Sequence, residues 1–149
     1  MNKPHRPSSL AIYLTFPGNC REALQFYATE LGGTLGQIHT YQEAPDGTGT
    51  ADTWLDKVLH GELQVGNQVI MGSDAPPGSY QPPQGMYVQM YYDDLLEAEQ
   101  IYNRLSDGGE TLMPFGPSFW AEGFGMLTDR FGVNWIITSC YIEQLDWEQ

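Results

Sequence analysis

The residues best suited to chemistry cluster between positions 39 and 64. His60, Glu62 and Gln64 alternate with Leu59, Leu63 and Val65. A period of two belongs to a β-strand, so the polar side chains share one face and the apolar ones turn to the other, against a helix. An imidazole beside a carboxylate on one face can act as a general base that the carboxylate orients. The same pair, joined by His39 from the preceding strand, could hold a nonstandard metal. No ligand spacing singles that group out, so no metal is assigned to it. A second alternation, Tyr87, Gln89 and Tyr91, puts two phenols and an amide on one strand face. Trp54, Phe115, Phe119 and Trp120 stand on strands and loops expected near it. Aromatic side chains with a few polar groups suit a flat or apolar organic ligand. Trp135 and Phe131 read as core, and Trp120 can serve either core or site.

Other chemistries find no support. The sequence has no P-loop, no H-E-x-x-H and no G-x-S-x-G. Cys20 and Cys140 are the only cysteines, with no C-x-x-C pair. The dipole of a helix starting at Cys20 could lower its pKa, but packing is the simpler role. Cys140 has no histidine near it in sequence. Two unpaired thiols fit a cytoplasmic protein. Six basic residues against nineteen acidic ones give a net charge of −13. That charge repels phosphate backbones and anionic lipid, so neither nucleic acid nor membrane is expected as a partner. No apolar run approaches the ~20 residues of a membrane span. The short apolar run from Leu10 to Phe16 reads as a strand, and no signal peptide is expected.

An internal repeat supplies the elements that must position these residues. Glu22-Ala23-x-Gln25-x-Tyr27 returns as Glu97-Ala98-x-Gln100-x-Tyr102, an offset of 75 (Tyr27 to Tyr102). Each stretch has an apolar stripe at helical spacing: Ala23, Leu24, Tyr27, Leu31, then Ala98, Ile101, Tyr102, Leu105. Asn19 with Glu22, and Asp94 with Glu97, have capping-box spacing. Gly32-Gly33 and Gly108-Gly109 suit left-handed helix ends. Strands are predicted before each helix, at Ala11–Phe16 and Met86–Tyr92. Three follow the first helix, at Gly33–Tyr41, Val58–Val65 and Gln68–Gly72. Three follow the second, at Glu110–Pro114, Phe119–Thr128 and Asn134–Ser139. The closing strands align at an offset of 66 (Gly66 to Gly132). The fall from 75 to 66 places an insertion in the first copy, in the Gly- and Asp-rich loop Ala44–Asp52.

The expected fold is therefore α+β: two β-α-β-β-β modules in one domain of 149 residues. Module one spans residues 10–74, a Pro- and Gly-rich linker spans 75–85, and module two spans 86–140. Each module has one sheet face covered by its helix and one open. Pairing of the open faces would give a mixed, partly open, eight-stranded barrel-like sheet with a cleft as the binding site.

Three motifs carry a family resemblance. Phe16-Pro17-Gly18-Asn19-Cys20-x-Glu22-Ala23-x-x-Phe26-Tyr27 resembles the F-x-G-N-C-x-E-A-x-x-F-Y signature of the PhnB-like branch of the vicinal-oxygen-chelate superfamily. That superfamily is also called glyoxalase/bleomycin resistance/dioxygenase. His60-Gly61-Glu62-Leu63 resembles its third-strand motif. Phe119-Trp120-x-x-x-Phe124-Gly125 with Asp129-x-Phe131-Gly132-x-x-Trp135 resembles its C-terminal signature. Together they span residues 10 to 139.

The resemblance implies paired β-α-β-β-β modules and a homodimer. In the superfamily's metalloenzymes it implies a divalent ion held by the first and last strand of each module; bleomycin-binding members need none. Counting from the repeat puts those four positions at Ile12, Ile70, Tyr87 and Ile136. Three isoleucines and a tyrosine are not a zinc or nickel donor set, so no metal and no cofactor is expected. Members of this branch also bear a 3-demethylubiquinone methyltransferase label. A Rossmann-type methyltransferase needs a glycine-rich loop that opens a helix, and Gly47-x-Gly49 and Gly123-x-Gly125 both lack a third glycine.

The resulting expectation is a metal-independent small-molecule binding protein. His60 and Glu62 are its reactive pair, and Ile12, Tyr87, Gln89, Tyr91 and Trp120 touch the ligand. The alternative is a lyase, isomerase or oxygenase acting on a small organic substrate, with His60 as base or nonstandard metal ligand. A third reading is a structural dimer with a vestigial cleft. Fold alone does not separate them.

Overall fold

The computed structural model describes residues 5–45 and 50–142. Gly47 and Gly49, with the middle of the predicted insertion, lie outside the described residues. The chain divides between Tyr80 and Gln81 into two compact units.

The first unit runs β1 (Ile12–Phe16), α1 (Cys20–Leu31), β2 (Thr34–Thr40), β3 (Val58–Val65) and β4 (Gln68–Asp74). Two single 3-10 turns, Tyr41–Glu43 and Asp52–Trp54, lie between β2 and β3. The sheet order is β1-β4-β3-β2, with β1 parallel to β4 and the other pairs antiparallel. A two-residue turn joins β3 to β4 and the longer stretch 41–57 joins β2 to β3, whereas the parallel pair needs the helical crossover.

Helix α1 forms because Cys20, Ala23, Leu24 and Tyr27 recur on one stripe, and all four are buried. Its end at Gly32 is left-handed, with φ of 67°, as read from the glycine pair. Beneath the stripe lie Leu14, Phe16, Leu63 and Ile70, all buried. Gly61 of β3 admits the helix: a Cβ there would stand 2.9 Å from the Leu24 methyl.

The second unit repeats the plan with β5 (Val88–Tyr92), α2 (Leu95–Ser106), β6 (Glu110–Gly116), β7 (Ala121–Thr128) and β8 (Asn134–Tyr141). Its sheet order is β5-β8-β7-β6, again with only the outer pair β5 and β8 parallel. Ala98, Ile101, Tyr102 and Leu105 are the buried stripe of α2. The Tyr102 hydroxyl lies 2.9 and 3.2 Å from the Met113 and Met126 carbonyl oxygens, which satisfies its polar end inside the core. Gly123 and Gly125 sit on β7, and a Cβ on Gly125 would meet the Tyr102 ring at 2.7 Å. They make room for a helix and open none.

The eight strands thus form two four-stranded mixed sheets, and no closed barrel results. Both edge strands next to the hairpins are irregular, with register shifts in β2 between Leu35 and Ile38 and in β6 between Thr111 and Gly116.

Two expectations are corrected here. Asn19 caps α1 only by position; its side chain makes no capping hydrogen bond. Asp74, fifty-four residues away in sequence, accepts from the Cys20 amide at 2.9 Å instead. The second helix follows the local reading, since the Asp94 carboxylate accepts from the Glu97 amide at 2.8 Å. The second correction concerns the repeat. The helices match at 75, but in β1 the helix-facing Leu14 corresponds to Met90, not to Gln89, because Leu14 pairs with Gly72 and Met90 with Ile137. The β1–α1 link holds Pro17-Gly18-Asn19, against only Asp93-Asp94 in the second unit. The β3–β4 turn holds two residues between Val65 and Gln68. Its counterpart holds three, closed by the Asp129 amide on the Val133 carbonyl at 2.8 Å. Strand offsets are therefore 76 (Leu14 to Met90) and 65 (Ile70 to Trp135), each one residue from the sequence alignment. A one-residue slip moves every side chain to the other face.

Candidate functional site

The helix-free face of the first sheet follows from the strand parity. Gly61, Leu63, Ile70 and Gly72 point to α1, so His60, Glu62, Gln64, Met71 and Ser73 point away from it. Tyr13 joins them from β1, opposite Met71. The Tyr13 and His60 rings stand 5.8 Å apart. His60 Nε2 lies 3.2 Å from Glu62 Oε1, and both side chains are partly exposed. This is the arrangement expected for an imidazole steered by a carboxylate. His39 lies directly across from His60, but its Nδ1 is 3.2 Å from Glu43 Oε1. Glu43 is also bonded to the Thr40 amide, and these contacts hold its carboxyl below the usual carboxylate range, the amide bond contributing most. His39 is thus tied to the turn after β2.

Leu59 departs from the expected apolar face. Thr40 pairs with Val58 and His39 with His60, which leaves Leu59 as the extra residue of a bulge. It is 37% exposed and lines an apolar pocket of about 650 Å³ with Tyr41, Pro45, Trp54, Pro76 and Pro77. Of the aromatic residues expected around the ligand, Trp54 is the one this pocket holds.

The helix-free face of the second sheet is aromatic. Gln89 and Tyr91 of β5 share it, and Tyr87 precedes the strand, 41% exposed. Tyr91 and Tyr141 stack, 5.0 Å between centroids and 13° between planes. The Gln89 side-chain amide donates to the Tyr141 hydroxyl at 3.3 Å. Strand alternation alone would turn Tyr141 toward the helix with Ser139 and Ile137. The break is Cys140, whose φ of 54° is the one left-handed non-glycine value among the described residues. Trp120 lies in the turn before β7, edge-on to Phe119 at 4.7 Å and to Phe124 at 5.0 Å.

Ile12 does not share a face with His60 and Glu62. It has the parity of Leu14 and Phe16 and pairs with Ile70, which is buried toward the helix. The register takes two of the four expected ligand positions, Ile12 and Ile70, off the helix-free face, while Ile136 stays on it and Tyr87 precedes β5 with the parity of Gln89. On the helix-free faces the paired residues of the outer strands are Tyr13 with Met71, and Gln89 with Ile136. A phenol, a thioether, an amide and an alkyl chain do not fit a hard divalent ion. No group of three His, Cys, Asp or Glu able to hold a metal occurs among the described residues.

Two buried carboxylates, Asp74 and Asp129, serve the scaffold. Asp74 accepts from the Cys20 and Val58 amides, each at 2.9 Å. Asp129 accepts from the Phe131 and Val133 amides and from Trp135 Nε1 at 2.9 Å. The D-x-F-G-x-x-W spacing was the available sign of the second; nothing local marks the first. Cys20 is buried, and that burial, followed by the Asp74 charge, pushes its thiol up to about 12. It is a packing residue and no nucleophile.

Comparison with known proteins bears on the family and the fold. The family model described as 3-demethylubiquinone-9 3-methyltransferase matches residues 8–138. Protein YjdN of Escherichia coli K12 is 30% identical over 139 residues, covering 86% of this chain and 92% of that protein. The crystal structure of protein PA1353 from Pseudomonas aeruginosa superposes with a TM-score of 0.80 at 44% identity, covering 89% of this chain and 98% of that one. The PhnB protein of Bacillus cereus, itself described as a putative 3-demethylubiquinone-9 3-methyltransferase, superposes with a TM-score of 0.73 at 24% identity, over 89% and 100% of the two chains. Proteins of the glyoxalase/bleomycin resistance/dioxygenase fold share the architecture. The chain belongs to the family that carries the 3-demethylubiquinone-9 3-methyltransferase description, the PhnB-like members of the vicinal-oxygen-chelate superfamily.

Proposed function

We propose that this chain binds a small organic molecule without a metal, through the helix-free faces of its sheets. One observation carries the reading. On the helix-free faces the paired residues of the outer strands are Tyr13 with Met71 in the first unit and Gln89 with Ile136 in the second, and polar and aromatic side chains stand exposed on each face. In the first unit the Tyr13 phenol beside the His60–Glu62 pair, and in the second the Tyr91–Tyr141 stack beside the Gln89 amide, each offer apolar contact with a few directed hydrogen bonds. Among the described residues the methyltransferase label finds no support in the glycines: Gly123 and Gly125 lie mid-strand against α2 and open no helix.

The His60–Glu62 pair keeps the enzyme reading in view, since its 3.2 Å contact orients the imidazole for proton transfer. As a binder the protein works as a cytoplasmic homodimer. The test is elemental analysis of purified protein together with a thermal-shift screen of small aromatic compounds, with and without EDTA. The expected result is less than a tenth of an equivalent of zinc, nickel, iron or manganese per chain, with stabilising hits that survive the chelator. One equivalent of metal, and hits lost in EDTA, would overturn the reading. Sedimentation at micromolar concentration and physiological salt should give twice the 16.7 kDa chain mass.

A further inference from the structure

The second sheet's aromatic face says what charge its ligand carries, and the inference rests on the binding role proposed above. None of the eight strands contains Lys or Arg. The described cations stand elsewhere: Arg6 ahead of β1, Arg21 and Arg104 on helices, Lys57 before β3, and Arg130 in a turn. A phosphonate, phosphate or carboxylate on this face would meet no opposite charge from the strands that form it. It would meet Glu122, exposed on β7 and alternating with Ala121 and Gly123, which are buried toward α2. Register places Glu122 opposite Cys140, beside Tyr141.

The platform is built and not incidental. Cys140 accepts a left-handed backbone that is costly for any residue with a Cβ. That turn brings Tyr141 onto Tyr91, where Gln89 fixes its hydroxyl. The Ile142 amide donates to the Trp120 carbonyl at 2.9 Å, which ties the end of β8 to the Trp120–Phe124 pair. The exposed side of a tyrosine stack with a carboxylate at the rim, its strand end tied by the backbone to Trp120, attracts a flat cation through ring quadrupole and charge. We propose that this face binds a planar aromatic cation.

The test is calorimetric titration at physiological salt with three flat probes of similar size: 9-aminoacridine (cation), acridone (neutral) and anthracene-9-carboxylate (anion). The cation should bind at least tenfold tighter than the anion. Tyr141→Leu and Tyr91→Leu, on separate strands, should each weaken the cation tenfold or more. Glu122→Gln should weaken it about threefold and leave acridone unchanged, whereas Glu99→Gln on α2 should change nothing. Equal or tighter binding of the carboxylate, still sensitive to Tyr141, would overturn the charge class and leave small-molecule binding intact. An equal loss in Glu99→Gln would reduce the preference to the overall charge of −13 and overturn the site. Failure of all three probes, or binding indifferent to both tyrosines, would also overturn it. Loss of binding in EDTA alone would instead strike the metal-free reading.

Discussion

Removing the Asp74 carboxylate tests the logic of the first unit most directly. Asp74 is 1% exposed and receives the Cys20 and Val58 amides at 2.9 Å. One amide opens α1 and the other opens β3, so a single carboxylate fastens the helix and a central strand to β4. Asp74→Ala leaves both donors buried and unsatisfied, at about 1–3 kcal/mol each, so the expected loss is ~2–6 kcal/mol. Asp74→Asn keeps one acceptor oxygen but turns an NH2 toward one of the donors, and should cost about half as much. A domain of this size shows unfolding free energies of roughly 5–15 kcal/mol, so the alanine variant stands near the limit of folding. Urea unfolding followed by tryptophan fluorescence, with an unchanged slope, reads these differences. The melting temperature should fall by roughly 2–4 °C per kcal/mol. An alanine variant within about 1 kcal/mol of the parent would refute the claim that a long-range carboxylate, and not Asn19, holds the start of α1.

Other outcomes follow from the same contacts. Cys20 holds its proton more tightly folded than unfolded, with its thiol pushed up to about 12, so its contribution is complete below pH 9 and lost as pH rises toward 12. A pH series of urea midpoints should fall across that window less steeply for Cys20→Ala than for the parent, and parallel curves would count against the assignment. His60→Ala removes a partly exposed side chain that meets the more exposed Glu62 and the half-exposed Tyr13 ring, so stability should change by less than about 1 kcal/mol while affinity for any hit of the screen drops. A fall in melting temperature of 8 °C or more would make His60 a scaffold residue.

What the sequence made legible was whatever depends on local pattern. The two helices, their stripes and the glycine at the end of α1 follow from spacing, and β3 lies at the predicted Val58–Val65. The His60–Glu62 contact follows from strand alternation, as does the shared face of Gln89 and Tyr91. What was hidden depends on partners remote in sequence or on one-residue differences in connection length. The Asn19 side chain caps nothing, and the helix start is instead held by Asp74 on β4, which takes the Cys20 amide, one place before the amides that an N-cap side chain reaches. Ile12 and Ile70 were assigned to the open face because the β1–α1 link and the β3–β4 turn each differ by one residue between the copies. Those two differences have opposite sign and leave no trace in the total length. Tyr141 was missed because nothing in a cysteine announces a left-handed backbone.

The irregular edges of β2 and β6 bear on what the protein does at high concentration. An unpaired strand edge is a template for cross-β growth, and natural sheets blunt it with bulges, proline or charge. β2 shifts register at two places, and β6 shifts at two places and carries Pro114, which has no amide hydrogen to offer. A strand from another molecule laid along either edge could not keep a continuous ladder. Straightening β6, by replacing Pro114 with valine and restoring its register, should therefore turn an inert border into a nucleus for fibrils.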